Sequence, residues 1–241
     1  MDHDPSRAGH GYATATAFDS FDTTTFLQSV NQADGSFVER FIMPVTGLER
    51  DGAPVDAPWL DHVGLYLIID ASGAQVGAQT NFNSLTVTLW ADPGGNDGTA
   101  SAGLGGVAFS HGTEGDIALA TGALVSAALR QDADLTRYAD FTETFTPTRA
   151  GETLFGHSLN GATITEHLTT PVGARSAFAV STDGSTVNLV NGGTAEVDLS
   201  DAAALRVTPQ SLGHALLLQV ADELGLSGHD HHGGPQDDPW S

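Results

Sequence analysis

The sequence predicts an all-β fold, an antiparallel β-sandwich with one C-terminal amphipathic helix and flexible termini, and three observations carry that expectation. Ser84-Leu85-Thr86-Val87-Thr88-Leu89-Trp90 alternates, with Leu85, Val87 and Leu89 on one face and the threonines on the other, the pattern of a half-buried strand. Val63-Gly64-Leu65-Tyr66-Leu67-Ile68-Ile69 is short and apolar, and reads as a buried central strand. Asp34-Gly35, Asp183-Gly184 and Asn191-Gly192 punctuate strand-prone runs with turn-forming pairs. A chain of 241 residues can bury a real core, and 29 glycines with only 16% charged residues favour strands and turns over helical bundles.

The elements follow in order. Residues 1–17 read as a polar, flexible lead-in, and residues 18–200 as the β-sandwich domain. Thr24–Val30 and Phe37–Met43 form a hairpin around Asp34-Gly35. Residues 47–61 read as loop, because Asp51-Gly52, Pro54 and Pro58 fall there. Val63–Ile69 is ended by Asp70-Ala71-Ser72-Gly73, and Ser84–Trp90 by the Gly-rich stretch that begins at Asp92. Ile117–Leu129 and Tyr138–Phe145 are further strand candidates, although alanines leave a helix open over 118–129. Thr153-Leu154-Phe155 looks strand-like. Thr163–Thr165, Ala177–Ser181, Thr186–Val190 and Ala195–Leu199 are short strands, the last three separated by the turns at 183–184 and 191–192. Residues 201–227 hold a helix expected to pack on the domain: Thr208 caps it, Pro209 suits its first turn, Leu212, Leu216 and Val220 share a face, and Gly225 stops it. Residues 228–241 form a His/Asp/Gly/Pro-rich tail that cannot pack a core.

Charge narrows the partners. There are 30 acidic residues against 8 basic ones, all arginine, for a net charge of −22. Nucleic acid needs a basic patch, and anionic membrane surfaces need basic clusters, so neither is expected as a partner. Cations, calcium first, or neutral glycans fit better, while the same acidity also keeps a protein soluble. The absence of cysteine excludes disulfides and thiolate metal sites. No run approaches the roughly 18 apolar residues of a membrane span. Met1-Asp2-His3-Asp4 lacks the basic start and apolar core of a leader peptide.

The phrases VGLYLIIDASG (63–73), FNSLTVTLWADPGGNDG (82–98), GDIALATGALVS (115–126) and FTETFTPTRAGETLFG (141–156) resemble the flocculation-associated PEP-CTERM proteins. The resemblance covers about residues 20–170 and lies in phrase order and spacing. It implies an exported bacterial protein of the extracellular matrix that holds cells in flocs or biofilms. That family ends in a Pro-Glu-Pro-type motif, an apolar span and arginines, whereas this sequence ends in the expected helix and the His-rich tail. The family has no agreed catalytic residues, so none are carried over.

Four groups of residues invite a chemical reading. Asp92, Asn96 and Asp97 sit in a Gly-rich oxygen-donor loop suited to Ca²⁺, although its turn glycine falls at the seventh position where an EF-hand has it at the sixth. His229, Asp230, His231 and His232 suit Zn²⁺ or Cu²⁺, with His3, Asp4 and His10 adding similar groups, and support an alternative as a metal-binding protein that uses its His-rich ends. Ser158, in Gly156-His157-Ser158-Leu159-Asn160-Gly161, resembles a hydrolase nucleophile elbow, but Asn160 stands where that motif needs Gly and the β-branched stretch after it is a poor helix. His214 lacks the partner histidine and glutamate of a zinc protease, since Gln210 stands four residues before it. His62, His111 and His167 read as isolated structural histidines, and Trp59 and Trp90 as core or rim residues before any sugar-stacking role. The expectation is a non-enzymatic, extracellular or cell-surface structural or adhesive matrix protein. Calcium would stabilise or bridge it, and its partners would be matrix polysaccharide, other surface proteins or further copies of itself.

Overall fold

Alternating apolar residues make antiparallel strands here, and most strands pair with a neighbour close in sequence. The computed structural model describes residues 16–61, 63–76, 79–93, 99–103, 106–110, 115–131, 137–155, 163–170, 177–180, 186–200, 205–208 and 210–211. The elements are β1 (Thr16–Phe18), β2 (Ser20–Asn31), β3 (Ser36–Arg50), β4 (Ala53–Val55), a 3-10 turn (Pro58–Asp61), β5 (Gly64–Val76), β6 (Gln79–Asp92), β7 (Thr99–Gly103), β8 (Gly106–Ser110), β9 (Ile117–Gln131), β10 (Arg137–Pro147), α1 (Arg149–Phe155), β11 (Thr163–Thr170), β12 (Ala177–Val180), β13 (Thr186–Ser200) and β14 (Leu205–Val207).

The fold is the expected antiparallel, sandwich-like all-β arrangement. A ten-stranded sheet runs β11-β10-β9-β6-β5-β3-β2-β13-β12, with β4 beside β3. The ladder also meets itself, because β11 pairs with β13 from Thr163↔Ser200 to Leu168↔Ala195. β1–β14 and β7–β8 form separate two-stranded ladders. The β2–β3 hairpin turns where Asp34-Gly35 predicts it: Gly35 has φ 86°, and the Ser36 N–H donates to Asp34 Oδ1 at 2.9 Å. Asp51 and Gly52 both have positive φ (53° and 72°), as a two-residue type I′ turn requires, and so join β3 directly to β4.

Phe41, Met43, Leu65, Leu67, Ile69, Leu85, Val87, Leu89, Phe141 and Phe145 form one continuous core. Phe18, Trp59, Leu154, Phe155, Leu205 and Val207 belong to the same core and extend it beyond the main sheet. Trp59 is buried and donates its indole N–H to Thr16 Oγ1 at 3.2 Å, so it is no open sugar platform. A carboxylate also lies inside: Glu143, two residues from Phe141 and two from Phe145, is fully buried.

Three expectations need correction, and one alternative is decided. Residues 47–61 are not all loop, because pairing with β2 and β4 carries β3 through to Arg50. Of the two readings left open over 118–129, the strand is the one found, because β6 and β10 pair along its two edges and override alanine's helical preference. Asn191-Gly192 is no turn; β13 runs through it as a bulge, with Asn191 opposing Thr25 and Thr194 opposing Thr24. Thr153–Phe155 belongs to α1: the Gly151 N–H donates to Thr148 Oγ1 at 3.1 Å, a side-chain cap, and the helical turn buries Leu154 and Phe155 together.

Near the C-terminus, β14 precedes the start of a helix. Thr208 and Ser211 exchange reciprocal bonds, Thr208 N–H to Ser211 Oγ at 2.9 Å and Ser211 N–H to Thr208 Oγ1 at 3.0 Å, which is the logic of a capping box. Residues 212–241, with the rest of the expected helix and the tail, lie outside the described residues.

Candidate functional site

The corner where β5, β6 and β9 meet brings Asp92 and Asp116 to one end of the sheet. Register sets Gly64 opposite Asp92 and Tyr66 opposite Trp90, while β9 begins at Ile117 opposite Ala91. A bulge between Leu89 and Trp90 shifts the β6–β9 pairing there. Asp92, at the last position of β6, and Asp116, just before β9, therefore come to the same end of the sheet.

Tyr66 joins them. Its face of β5 is the one opposite Leu65 and Leu67, and there Ile42, Tyr66 and Ile68 form a second apolar cluster with Trp90 packed against it. The Tyr66 and Trp90 rings stack, 6.3 Å apart and inclined by 7°. The Tyr66 hydroxyl donates to Asp116 Oδ2 at 2.5 Å. Burial pushes the phenol's pKa far above its ordinary value, and the hydrogen bond and charge of Asp116 and the charge of Asp92 push the same way. Asp92 itself is 4% exposed. Two carboxylates bearing on one buried phenol offer oxygen donors of the kind hard cations accept. Among the described residues no group of three or more His, Asp or Glu side chains is placed to hold a metal ion.

Of the residues singled out from the sequence, Asp92 stands at this corner. Asn96 and Asp97 lie outside the described residues, as do His229, Asp230, His231, His232 and Ser158. His62 and His111 lie outside as well, whereas His167 is within β11. The sequence reading missed Tyr66 and Asp116. Tyr66 sat inside an apolar run that announced only burial, and the signal for Asp116 was modest: an acidic residue after Gly115, immediately before the strand-prone run at Ile117.

Comparison with protein-family models, with curated proteins and with solved structures finds no match. Among the described residues no helix is long and apolar enough to cross a membrane.

Proposed function

We propose that this chain is a non-catalytic, extracellular or cell-surface structural or adhesive protein of a bacterial matrix, stabilised or bridged by Ca²⁺. The observation that carries the calcium part of this reading is the pairing of Asp92 and Asp116 about Tyr66 at the end of β6 and the start of β9. With a net charge of −22, copies of this chain repel one another, and a divalent cation between carboxylates offsets that repulsion. An antiparallel fold rich in strands, with the phrase order of exported matrix proteins, suits a structural role better than a catalytic one. Matrix polysaccharide, other surface proteins or further copies of the chain are the partners this reading implies.

The test is thermal melting and light scattering of the full chain with and without Ca²⁺. A ligand held by the folded state alone must raise the melting temperature. The reading expects that rise, abolished by Asp92→Asn, and expects scattering to grow with Ca²⁺. Melting and scattering both unchanged at about 10 mM Ca²⁺, well above the affinity range of extracellular calcium modules, would sink it.

A further inference from the structure

Two Asp-Gly pairs stand at turns among the described residues, Asp34-Gly35 between β2 and β3 and Asp51-Gly52 between β3 and β4. Such a pair carries a reaction of its own. Glycine has no Cβ to shield its amide nitrogen, so that nitrogen can approach the side-chain carboxyl of the aspartate before it. The two turns treat this reaction in opposite ways.

At the first turn both reacting groups are engaged. Asp34 Oδ1 accepts from the Ser36 hydroxyl at 2.7 Å and from the Ser36 N–H at 2.9 Å. The hydroxyl bond first, and then the N–H bond, hold the carboxyl below its ordinary range, in the ionised form that has no hydroxyl to lose. The Gly35 N–H is itself spent, donating to the Gln32 carbonyl at 3.0 Å.

The second turn leaves its aspartate open. The Asp51 side chain is 87% exposed, and its contact with Arg50, Nε to Oδ2 at 3.8 Å, is too long for a hydrogen bond to hold it. A Cβ on Gly52 would meet nothing within 4 Å, so there is room for the side chain to swing over that nitrogen. The backbone of Asp51 lies at φ 53°, in the left-handed region that a residue with a Cβ disfavours.

We infer that Asp51-Gly52 is a site of spontaneous covalent modification, at which the aspartate converts to isoaspartate. The Gly52 nitrogen bonds to Asp51 Cγ, and its proton leaves with the carboxyl hydroxyl as water, closing a cyclic succinimide. Water then opens the ring. Opening at the main-chain carbonyl returns a proton to the nitrogen and leaves the chain running through Cγ, whereas opening at Cγ restores aspartate. One water is lost and one regained, so the step needs no oxidant, cofactor or partner. The product lengthens a two-residue turn by one methylene, and such a turn sets the register of the strands it joins. The pairing of Leu48, Glu49 and Arg50 with Val55, Pro54 and Ala53 is what it disturbs, together with the bonds from the Asp51 N–H to the Asp19 carboxylate. Conversion thereby bares the edge of β3 that β4 covers.

The full chain is aged for weeks in warm, mildly acidic buffer, then labelled with an isoaspartate-specific methyltransferase and radioactive S-adenosylmethionine. Fragment mass spectrometry maps the label. Label accumulates at Asp51 and exceeds that at Asp34. Asp51→Asn, in which ammonia leaves more readily than water, labels faster, and asparagine suits the left-handed position. Asp51→Glu, whose longer side chain would need a larger ring, loses the label at that turn. Melting of the fresh variants checks that they fold, and either variant alone decides the matter. No label at Asp51 in the aged parent, label at Asp34 equal to that at Asp51, no faster labelling in Asp51→Asn, or label persisting at the turn in Asp51→Glu overturns the inference.

Discussion

The Tyr66 hydroxyl donates to Asp116 Oδ2 at 2.5 Å, tying the interior of β5 to the residue that leads into β9, 50 positions further along the chain. The bond closes the corner where Asp92 also lies. Tyr66→Phe keeps the ring stacked on Trp90 and removes only the hydroxyl. Asp116 is half-buried, so water compensates part of the loss, and the expected cost is about 1–2 kcal/mol. Urea denaturation near neutral pH measures it; a midpoint equal to that of the parent would show the bond to be energetically idle.

The same phenol gives a pH dependence whose sign is fixed. Burial, then the hydrogen bond to Asp116, holds the folded-state pKa above the ordinary value of 10.0. Folding thus favours the neutral, protonated form. The stability it contributes is complete below the unfolded-state pKa near 10 and is lost as pH rises beyond it. The denaturation midpoint should fall above about pH 10, and fall less steeply in Tyr66→Phe. Absorbance titration offers a direct check, because of the three tyrosines one should ionise only as the protein unfolds. Three phenols titrating together near pH 10 would contradict the assignment.

Gly151 allows α1 to lie against β9. A Cβ at that position would stand 1.9 Å from the Leu119 carbonyl oxygen, and neither backbone can yield without moving the other. Thr148 fixes the approach from the other side, donating its hydroxyl to the Ala118 carbonyl at 2.6 Å while capping Gly151. Gly151→Ala should cost about 3 kcal/mol, the upper range for overpacking a rigid site. A chemical-denaturation loss under about 1 kcal/mol would mean that α1 shifts freely on the sheet, against its buried Leu154 and Phe155.

Local patterns carried much of the fold. The alternation over Leu85, Val87 and Leu89 matches three buried positions, and the apolar run from Val63 to Ile69 is buried throughout. What the sequence obscured were places where a distant partner overrides a local signal. Asn191-Gly192 has turn chemistry, yet β2 pairs on both sides of it and the strand absorbs the extra residues as a bulge. The β-branched and aromatic character of Thr153-Leu154-Phe155 yields to the cap at Thr148 and to the core beneath. Of the candidate site, Asp92 was legible because acidic residues in a Gly-rich loop are a recognisable signal. Asp116 was not, because only strand register brings it beside Tyr66 and Asp92.

Arg40 and Asp70 make a two-pronged ion pair on the outer face of β3 and β5, with Nε to Oδ1 at 2.6 Å and Nη2 to Oδ2 at 3.0 Å. The geometry is good, but the two side chains are 50% and 46% exposed. Solvent screening and the entropy of holding two long side chains in place limit such a pair to about 1 kcal/mol or less. Asp70→Asn should therefore shift the melting temperature by only a few degrees, and less again at 1 M salt. A larger shift that persisted in salt would show that Asp70 acts through packing.

Phe141 packs within a chain of aromatic rings in the core. Its ring meets Phe82 edge-on at 5.3 Å and Phe41 at 6.4 Å, and Phe82 in turn meets Phe37 at 5.4 Å, so one chain of rings links β3, β6 and β10. The side chain is 1% exposed, leaving water no route to compensate for its removal. Phe141→Ala should cost about 3–5 kcal/mol, the transfer energy of the ring plus the cavity left among its neighbours. Phe141→Leu retains most of the volume and should cost clearly less, because part of the space is refilled while the edge-on contacts, worth about 0.5–1.5 kcal/mol, are lost. Denaturation midpoints for the pair separate the two terms. Equal losses would place the stabilisation in the aromatic geometry, and the expected large difference places most of it in filled volume.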